Sequence, residues 1–252
     1  FMGNAGRPGP QTAPRQASPP PPEPEVAVDL EEAKKLWPSF MGRATEKEAI
    51  EAVEDVQEAL KKARIAQELA SESEELLRRS EELVNAAEAD QAKAAAAFTS
   101  GRKVTARQEQ KAAMERARVA IRNAVNCVAD VAEKLDEVGD KVRGGADIVD
   151  TSCCMIFSAF QRKKPEISNR SMKAAQHAKQ ALKLEREFQA DLSLAKQRIV
   201  GLGSEPAVAD LRRALTVLNG AVSGSIRAAN STSQCCHVAQ HAAPGVKMTG
   251  RL

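Results

Sequence analysis

The sequence predicts an all-α protein: an antiparallel helical bundle of four main long helices with coiled-coil-like packing, behind a disordered, proline-rich N-terminus. Aromatic residues make up only 3% of the chain and Tyr is absent, so the core must consist of smaller, helix-favouring side chains. Capping residues, together with Gly and Pro, also divide the chain into long segments. One segment keeps spacings of three and four for four heptads, as in a helix that packs along another helix. Its apolar positions are Met114, Ala117, Ile121, Ala124, Val128, Val131, Leu135, Val138 and Val142.

The N-terminal region is expected to remain outside the bundle. Residues 1–28 contain eight of the twelve prolines, a composition typical of a disordered segment with polyproline II character. Residues 19–22 are all proline and could bind an aromatic-lined groove, but a plain linker is favoured. Phe1 precedes Met2, which suggests a fragment or a residue carried over from upstream. Residues 29–43 predict a short helix and a turn, a clasp on the main body.

The bundle is predicted to span residues 44–237 and to begin with a long hairpin over 45–143. A capping box of Thr45 and Glu48 starts its first helix, and Thr105 starts its second. The connector between the two helices is short, so they must lie antiparallel. Small residues on both helices predict a close, dry contact: Ala66, Ser73, Ser80, Ala117 and Ala124.

A short apolar helix is predicted over residues 146–164, after a break at Gly144 and Gly145. We expect it to cap the bundle core, with its basic triplet ending the helix. In the alternative interpretation it is an amphipathic element for a membrane surface or a partner groove. The residues of this candidate surface or cap element are Ile148, Val149, Ile156, Phe157, Phe160, Arg162, Lys163 and Lys164.

A second, shorter hairpin is predicted over residues 167–237, followed by a frayed tail over 238–252. Its first helix carries Glu185 on an apolar stripe, so this carboxylate must reach an edge or a basic partner. Its second helix carries Gly220 and Gly224 one turn apart. That spacing predicts a close helix crossing.

Composition excludes several classes of protein. The five cysteines are an odd number in a long chain, which indicates reduced thiols and a cytoplasmic setting. The longest apolar stretch is about half of the ~20 residues that a membrane-spanning helix needs. No phosphate-binding loop occurs, and the basic residues lack the interleaved aromatics that stack on single-stranded nucleic acid.

No residue cluster predicts catalysis, and we expect no enzyme activity, no cofactor, no metal and no nucleic-acid partner. Cys235, Cys236, His237 and His241 lack the paired-cysteine spacing of structural zinc sites. His177 has no evident orienting group for a hydrolase triad. The carboxylate-rich runs are expected on solvent faces, away from any apolar pocket that would tune one as an acid.

The favoured function is therefore a non-catalytic structural or scaffold protein. Its long helical hairpin would bind a protein partner, itself helical or a second copy of the chain. The alternative is a peripheral membrane-binding or pore-forming bundle that uses the apolar segment 146–160. Residues 1–100 contain 12 basic and 19 acidic residues, and the remainder 25 and 15. This imbalance favours charge pairing between helices.

The heptad pattern predicts that Val128 is interior. Val128→Asp should destabilise the protein by roughly 3 kcal/mol or more, because it would bury an unpaired charge. Glu74→Ala, on a solvent face, should change stability very little. Urea midpoints measure both effects, and similar midpoints for the two variants would show that Val128 is not interior.

Overall fold

The computed structural model describes residues 30–38, 44–99, 105–203 and 206–249, and within them it is entirely helical. The five helices are α1 (Leu30–Leu36), α2 (Glu46–Thr99), α3 (Thr105–Phe160), α4 (Pro165–Val200) and α5 (Val208–Thr249). The predicted all-α class is thus confirmed. The proline-rich tail and the connector of the first hairpin lie outside the described residues.

The predicted seam joins α2 and α3 as an antiparallel pair. Eight of its nine apolar positions on α3 are buried, from Ala117 to Val142. Met114 is the exception, with 45% of its surface exposed. Facing positions on α2 are small and buried: Ala66, Ala70, Ser73 and Ser80. The hydroxyls of Ser73 and Ser80 donate to carbonyls one turn back in α2, so the seam contains no unsatisfied hydroxyl.

Gly144 and Gly145 do not end a helix, so the predicted break there is wrong. Helix α3 continues to Phe160, and residues 146–160 are about its last quarter rather than a separate helix. A Cβ at Gly145 would lie 3.0 Å from the Thr232 methyl group of α5 and 3.4 Å from the Ala59 carbonyl of α2. The glycine therefore lets three helices approach closely, which a sequence pattern does not distinguish from a helix stop.

The second hairpin consists of α4 and α5, and it is longer than predicted. Helix α4 ends at the predicted break, where the Gly201 amide donates to Gln197 and Gly203 takes a φ of 67°. The predicted frayed tail over 238–252 is wrong in its first part, since α5 continues to Thr249. Ala239 and Ala242 are each 1% exposed. Burial of these alanines extends the helix beyond the point where the larger apolar residues end.

In cross-section the four long helices form a square. Each helix packs on the next in chain order, from α2 to α5, and α5 also packs on α2. Helix α3 contacts α5 across one diagonal. Helix α1 lies on α4, where Gln176 donates to Glu32, so it is the clasp that the sequence predicts. The core extends along the square as a series of apolar clusters.

Ion pairs connect the helices along their edges, as the uneven charge distribution predicts. Each is partly exposed and contributes little to stability alone, but all are consistent with the neighbours and register of the packed helices. The pairs are Arg116–Asp90, Lys134–Glu72, Arg212–Glu88, Lys196–Asp136, Lys179–Asp150 and Lys163–Glu46.

The two glycines of α5 should respond oppositely to alanine. A Cβ at Gly224 would lie 2.6 Å from Cβ and 3.4 Å from Cα of Phe188, whereas at Gly220 the nearest atom is an Asp191 carboxylate oxygen at 3.9 Å. Gly224→Ala should cost roughly 1 to 3 kcal/mol by overpacking. Gly220→Ala should stabilise by about 0.5 to 1 kcal/mol through helix propensity.

Thermal or urea unfolding of the two variants gives the comparison. Since both substitutions add one methyl group to the same helix, each controls for the other. Equal stability changes would contradict the close α4–α5 crossing at Gly224.

Candidate protein-interaction surface

The apolar element predicted over residues 146–164 lies mainly in the core. Val149, Ile156, Phe157 and Phe160 are 0% exposed, and Ile148 is partly buried. They pack among α1, α2, α4 and α5. These apolar side chains therefore face the interior of the bundle.

Arg162, Lys163 and Lys164, the basic triplet after this element, do not form one site. Arg162 is exposed, and Lys163 reaches back to Glu46 at the start of α2 with an Nζ to Oε1 distance of 2.5 Å. Lys164 is the residue that precedes α4, and Pro165 opens that helix. The triplet connects α3 to α4 and ties the turn to α2.

Helix α1 covers the apolar end of α3 through Trp37. The indole ring lies 5.4 Å from the ring of Phe157, and its Nε1 donates to Asp150 Oδ1 at 3.0 Å. Lys179 of α4 lies 3.7 Å from the same carboxylate. Burial raises the pKa of Asp150, while Lys179 and Trp37 oppose the shift. This arrangement closes the bundle over its apolar end.

Three thiols form a buried cluster under that clasp. Cys153 of α3 and Cys235 and Cys236 of α5 are each 0% exposed and share an apolar cluster with Trp37 and Phe157. Burial raises the pKa of Cys153. A hydrogen bond with Cys236, together with burial, raises the pKa of Cys235. All five cysteines are free, and the two remaining ones, Cys127 and Cys154, are only partly buried. The buried thiols act as small apolar side chains, not as nucleophiles.

Glu185 is a charge inside the bundle, and it finds the basic partner that the sequence requires. Its carboxylate is 2% exposed and accepts a hydrogen bond from Arg143 Nη2 at 2.5 Å. This bond raises the pKa of Arg143. The pair joins α3 to α4 beside Gly139, and Asp140 of α3 lies 3.9 Å from Nη1 of the same arginine.

The α2–α3 hairpin extends beyond the other two helices. Lys196 of α4 pairs with Asp136 of α3, and Glu185 with Arg143. With antiparallel helices in this register, the last residue of α4, Val200, is level with about residues 128–132 of α3. The N-terminal part of α3 before that level, about 35 Å long, has no α4 beside it. Leu202 of the connector after α4 shares an apolar cluster with Ala117 and Ile121, and Pro206 lies near Met114. Among the described residues, only the stretch beyond about Met114 therefore consists of α2 and α3 alone.

A shallow groove lies on α3 beyond the level at which α4 stops. Its volume is about 250 Å³, and it is lined by Gln91 of α2, by residues of α3 and by Pro206 of the connector. The α3 residues are Met114, Ala117, Arg118, Ile121 and Arg122. Met114, Ala117, Ile121 and Pro206 give it an apolar floor, and the two arginines form a charged wall. A pocket of this size and openness fits a side chain or two of a partner, not an enclosed substrate.

A row of basic side chains continues from this groove toward the start of α3. Arg107, Lys111, Arg118 and Arg122 are exposed and share one side of the helix with Met114. Arg118 lies 3.8 Å from Glu115, but Arg107, Lys111 and Arg122 have no ion-pair partner within the described part of the chain. We call Arg107, Lys111, Met114, Arg118 and Arg122 the basic stripe.

Sequence reasoning missed this surface. It placed Met114 in the buried seam and grouped the arginines with scattered charges. The spacing of 4, 3, 4 and 4 along the basic stripe was the available signal. The sequence predicts the end of α4 at Gly201, but it does not give the level of α3 at which this end lies, and that level decides whether α4 covers the stripe.

The described residues offer no sign of metal chemistry or of a membrane span. No group of three or more His, Cys, Asp or Glu side chains among them could hold a metal ion. None of the helices, over the residues described, is long and apolar enough to cross a bilayer.

Comparisons of the chain with protein-family models, with curated proteins and with solved structures find no significant match. Function must therefore be argued from the geometry of the chain itself.

The buried thiols should make stability fall at alkaline pH. In the unfolded chain they ionise near their ordinary pKa of 9.0, whereas in the fold Cys153 and Cys235 have raised pKa values. Their contribution is complete below pH 9 and is lost as pH rises from there toward the folded values, because only the unfolded state releases the protons. At pH 10 the loss should be on the order of 1 kcal/mol for each thiol.

Urea midpoints measured from pH 8 to pH 10.5 test this expectation. In the double variant Cys153→Ala/Cys235→Ala the decline should be clearly shallower than in the parent. The same variant at pH 7 gives the baseline for the packing change. An unchanged pH slope would show that the thiols are not protected from ionisation.

Proposed function

We propose that this protein is a non-catalytic scaffold that binds a protein partner through the projecting end of its α2–α3 hairpin. The observation that carries the proposal is the unequal length of the helices. Helices α2 and α3 have 54 and 56 residues, whereas α4 has 36. The end of the α2–α3 hairpin thus extends beyond α4 in the part of the chain that the structure describes.

Three of the eight exposed large apolar side chains among the described residues lie at or near this extension. Phe98 is 76% exposed, Met114 45% and Val119 44%. Exposing such side chains is unfavourable, and in a group they are typical of a surface that a partner covers. The partner could be another protein or a second copy of the chain. Free thiols in all five positions fit a cytoplasmic setting for this binding.

The scaffold proposal is preferred to membrane binding through residues 146–160. The apolar side chains that a membrane would need there are those packed under Trp37 and against α4 and α5. Their release would require the clasp and the core to open. The projecting end needs no such rearrangement before it meets a partner.

Site-specific photo-crosslinking in cells that express the chain would test the proposal. A photoreactive phenylalanine analogue at Phe98 or Val119 should give discrete adducts with protein. The same analogue at Leu194 or Ile65, which are 45% and 40% exposed on the body of the bundle, should give few.

Equal adducts at all four positions, or none at the projecting end, would contradict the proposal. Adducts with lipid at the end in place of protein would also count against it. Circular dichroism of each variant shows whether the helices are retained.

A further inference from the structure

We infer that the basic stripe is the docking site for an acidic amphipathic helix of a partner protein, which would lie on α3 in line with α4. This inference deepens the proposed function and rests on it. It identifies which side of the projecting end is used, and what chemistry the partner must carry.

The position of the docking site follows from how α4 packs on the C-terminal part of α3. Helix α4 covers the side of α3 that carries Asp136, Gly139 and Arg143, as shown by the contacts of these residues with Lys196, Gln189 and Glu185. Counting back along α3 in steps of three and four from Asp136 reaches Arg122, Arg118 and then Met114. The basic stripe is therefore the continuation of a surface that already packs against a helix.

The charge of the partner follows from a comparison of two parts of α3. Where α4 packs, it supplies ion-pair partners, and along the basic stripe such partners are missing among the described residues. Where α4 is present, it supplies an opposite charge to three residues on this side of α3: Lys196 pairs with Asp136, Glu185 with Arg143 and Lys179 with Asp150. Along the stripe three of the four cations have no ion-pair partner within the described residues, and the fourth has only Glu115 at 3.8 Å. Carboxylates on an incoming helix would complete the pattern.

The partner must also carry apolar side chains. The floor of the groove is apolar. Pro206, at the end of the connector, is part of this floor and would mark where the docked helix ends. The stripe extends about 23 Å from Arg107 to Arg122, the length of four helical turns. Leucines or similar residues at i, i+4, i+7 and i+11 would meet Met114 and the groove, with glutamates on both sides.

A designed peptide can represent such a partner. The probe is a fluorescent, helix-stapled peptide of about 18 residues with leucines at those four positions and glutamates beside them. Its control is the same peptide with every Glu replaced by Lys. Fluorescence anisotropy with the full chain should detect the acidic peptide and not the basic one, with weaker binding as salt increases.

Variants assign the binding to the stripe. Arg118→Glu/Arg122→Glu should weaken binding roughly tenfold or more, since two attractive contacts become repulsive. Met114→Ser should weaken it roughly fivefold through the lost apolar contact. Arg79→Glu is the matched control, because Arg79 is an exposed arginine of α2 without an ion-pair partner among the described residues, and it should change affinity less than about twofold.

Three results would overturn the inference: no binding of the acidic peptide, equal weakening by Arg79→Glu, or no effect of Met114→Ser, which would leave only a diffuse charge attraction. Duplex oligonucleotide and phosphatidylserine vesicles are assayed in parallel. Tighter binding of either through Arg118 and Arg122 would also overturn it. Failure here with discrete protein adducts retained at Phe98 rejects the acidic helix alone, whereas loss of both rejects the scaffold proposal.

Discussion

The rest of the structure depends on the dry seam between α2 and α3. Alanine and serine on one helix face valine, leucine and alanine on the other, so the two backbones approach closely over about ten turns. Each contact is small, and the stabilisation comes from their number. The seam also fixes the relative level of the two helices, which sets the edges against which α4 and α5 pack. A bundle with larger aromatic side chains could tolerate local errors of register that this one cannot.

Much of the fold was predictable because its rules are local. The capping box of Thr45 and Glu48 and the break at Gly201 mark helix ends through hydrogen bonds that involve near neighbours in sequence. The heptad pattern predicted which side of α3 is buried. The errors at Gly145 and beyond His237 have the opposite origin. In both places contacts with residues far apart in sequence determine whether the helix continues. Thr232 and Ala59 pack on Gly145, and Ala239 and Ala242 pack in the core.

The candidate site was harder to predict than the fold. Arg118 and Arg122 look like ordinary surface residues in the sequence, and Met114 follows the seam spacing as well as Ala117 does. Their distinction depends on the level of α3 at which α4 stops, which is seen only in contacts such as Lys196–Asp136 between residues 60 positions apart in sequence. A local pattern contains no such information. The apolar residues near Phe157 are the opposite case. They were prominent in the sequence as a candidate surface, yet they pack in the core.

The two-helix extension also differs from the body in local stability. Residues 105–116 and their counterparts on α2 have one neighbouring helix each, whereas residues lower in the bundle have two or three. Segments with few buried contacts open at a lower free energy than the core, so the extension should fluctuate while the body remains folded. A helix docked on one side would add the missing neighbour. Binding and local ordering would then be the same event, and affinity would include the entropy lost when the extension becomes rigid.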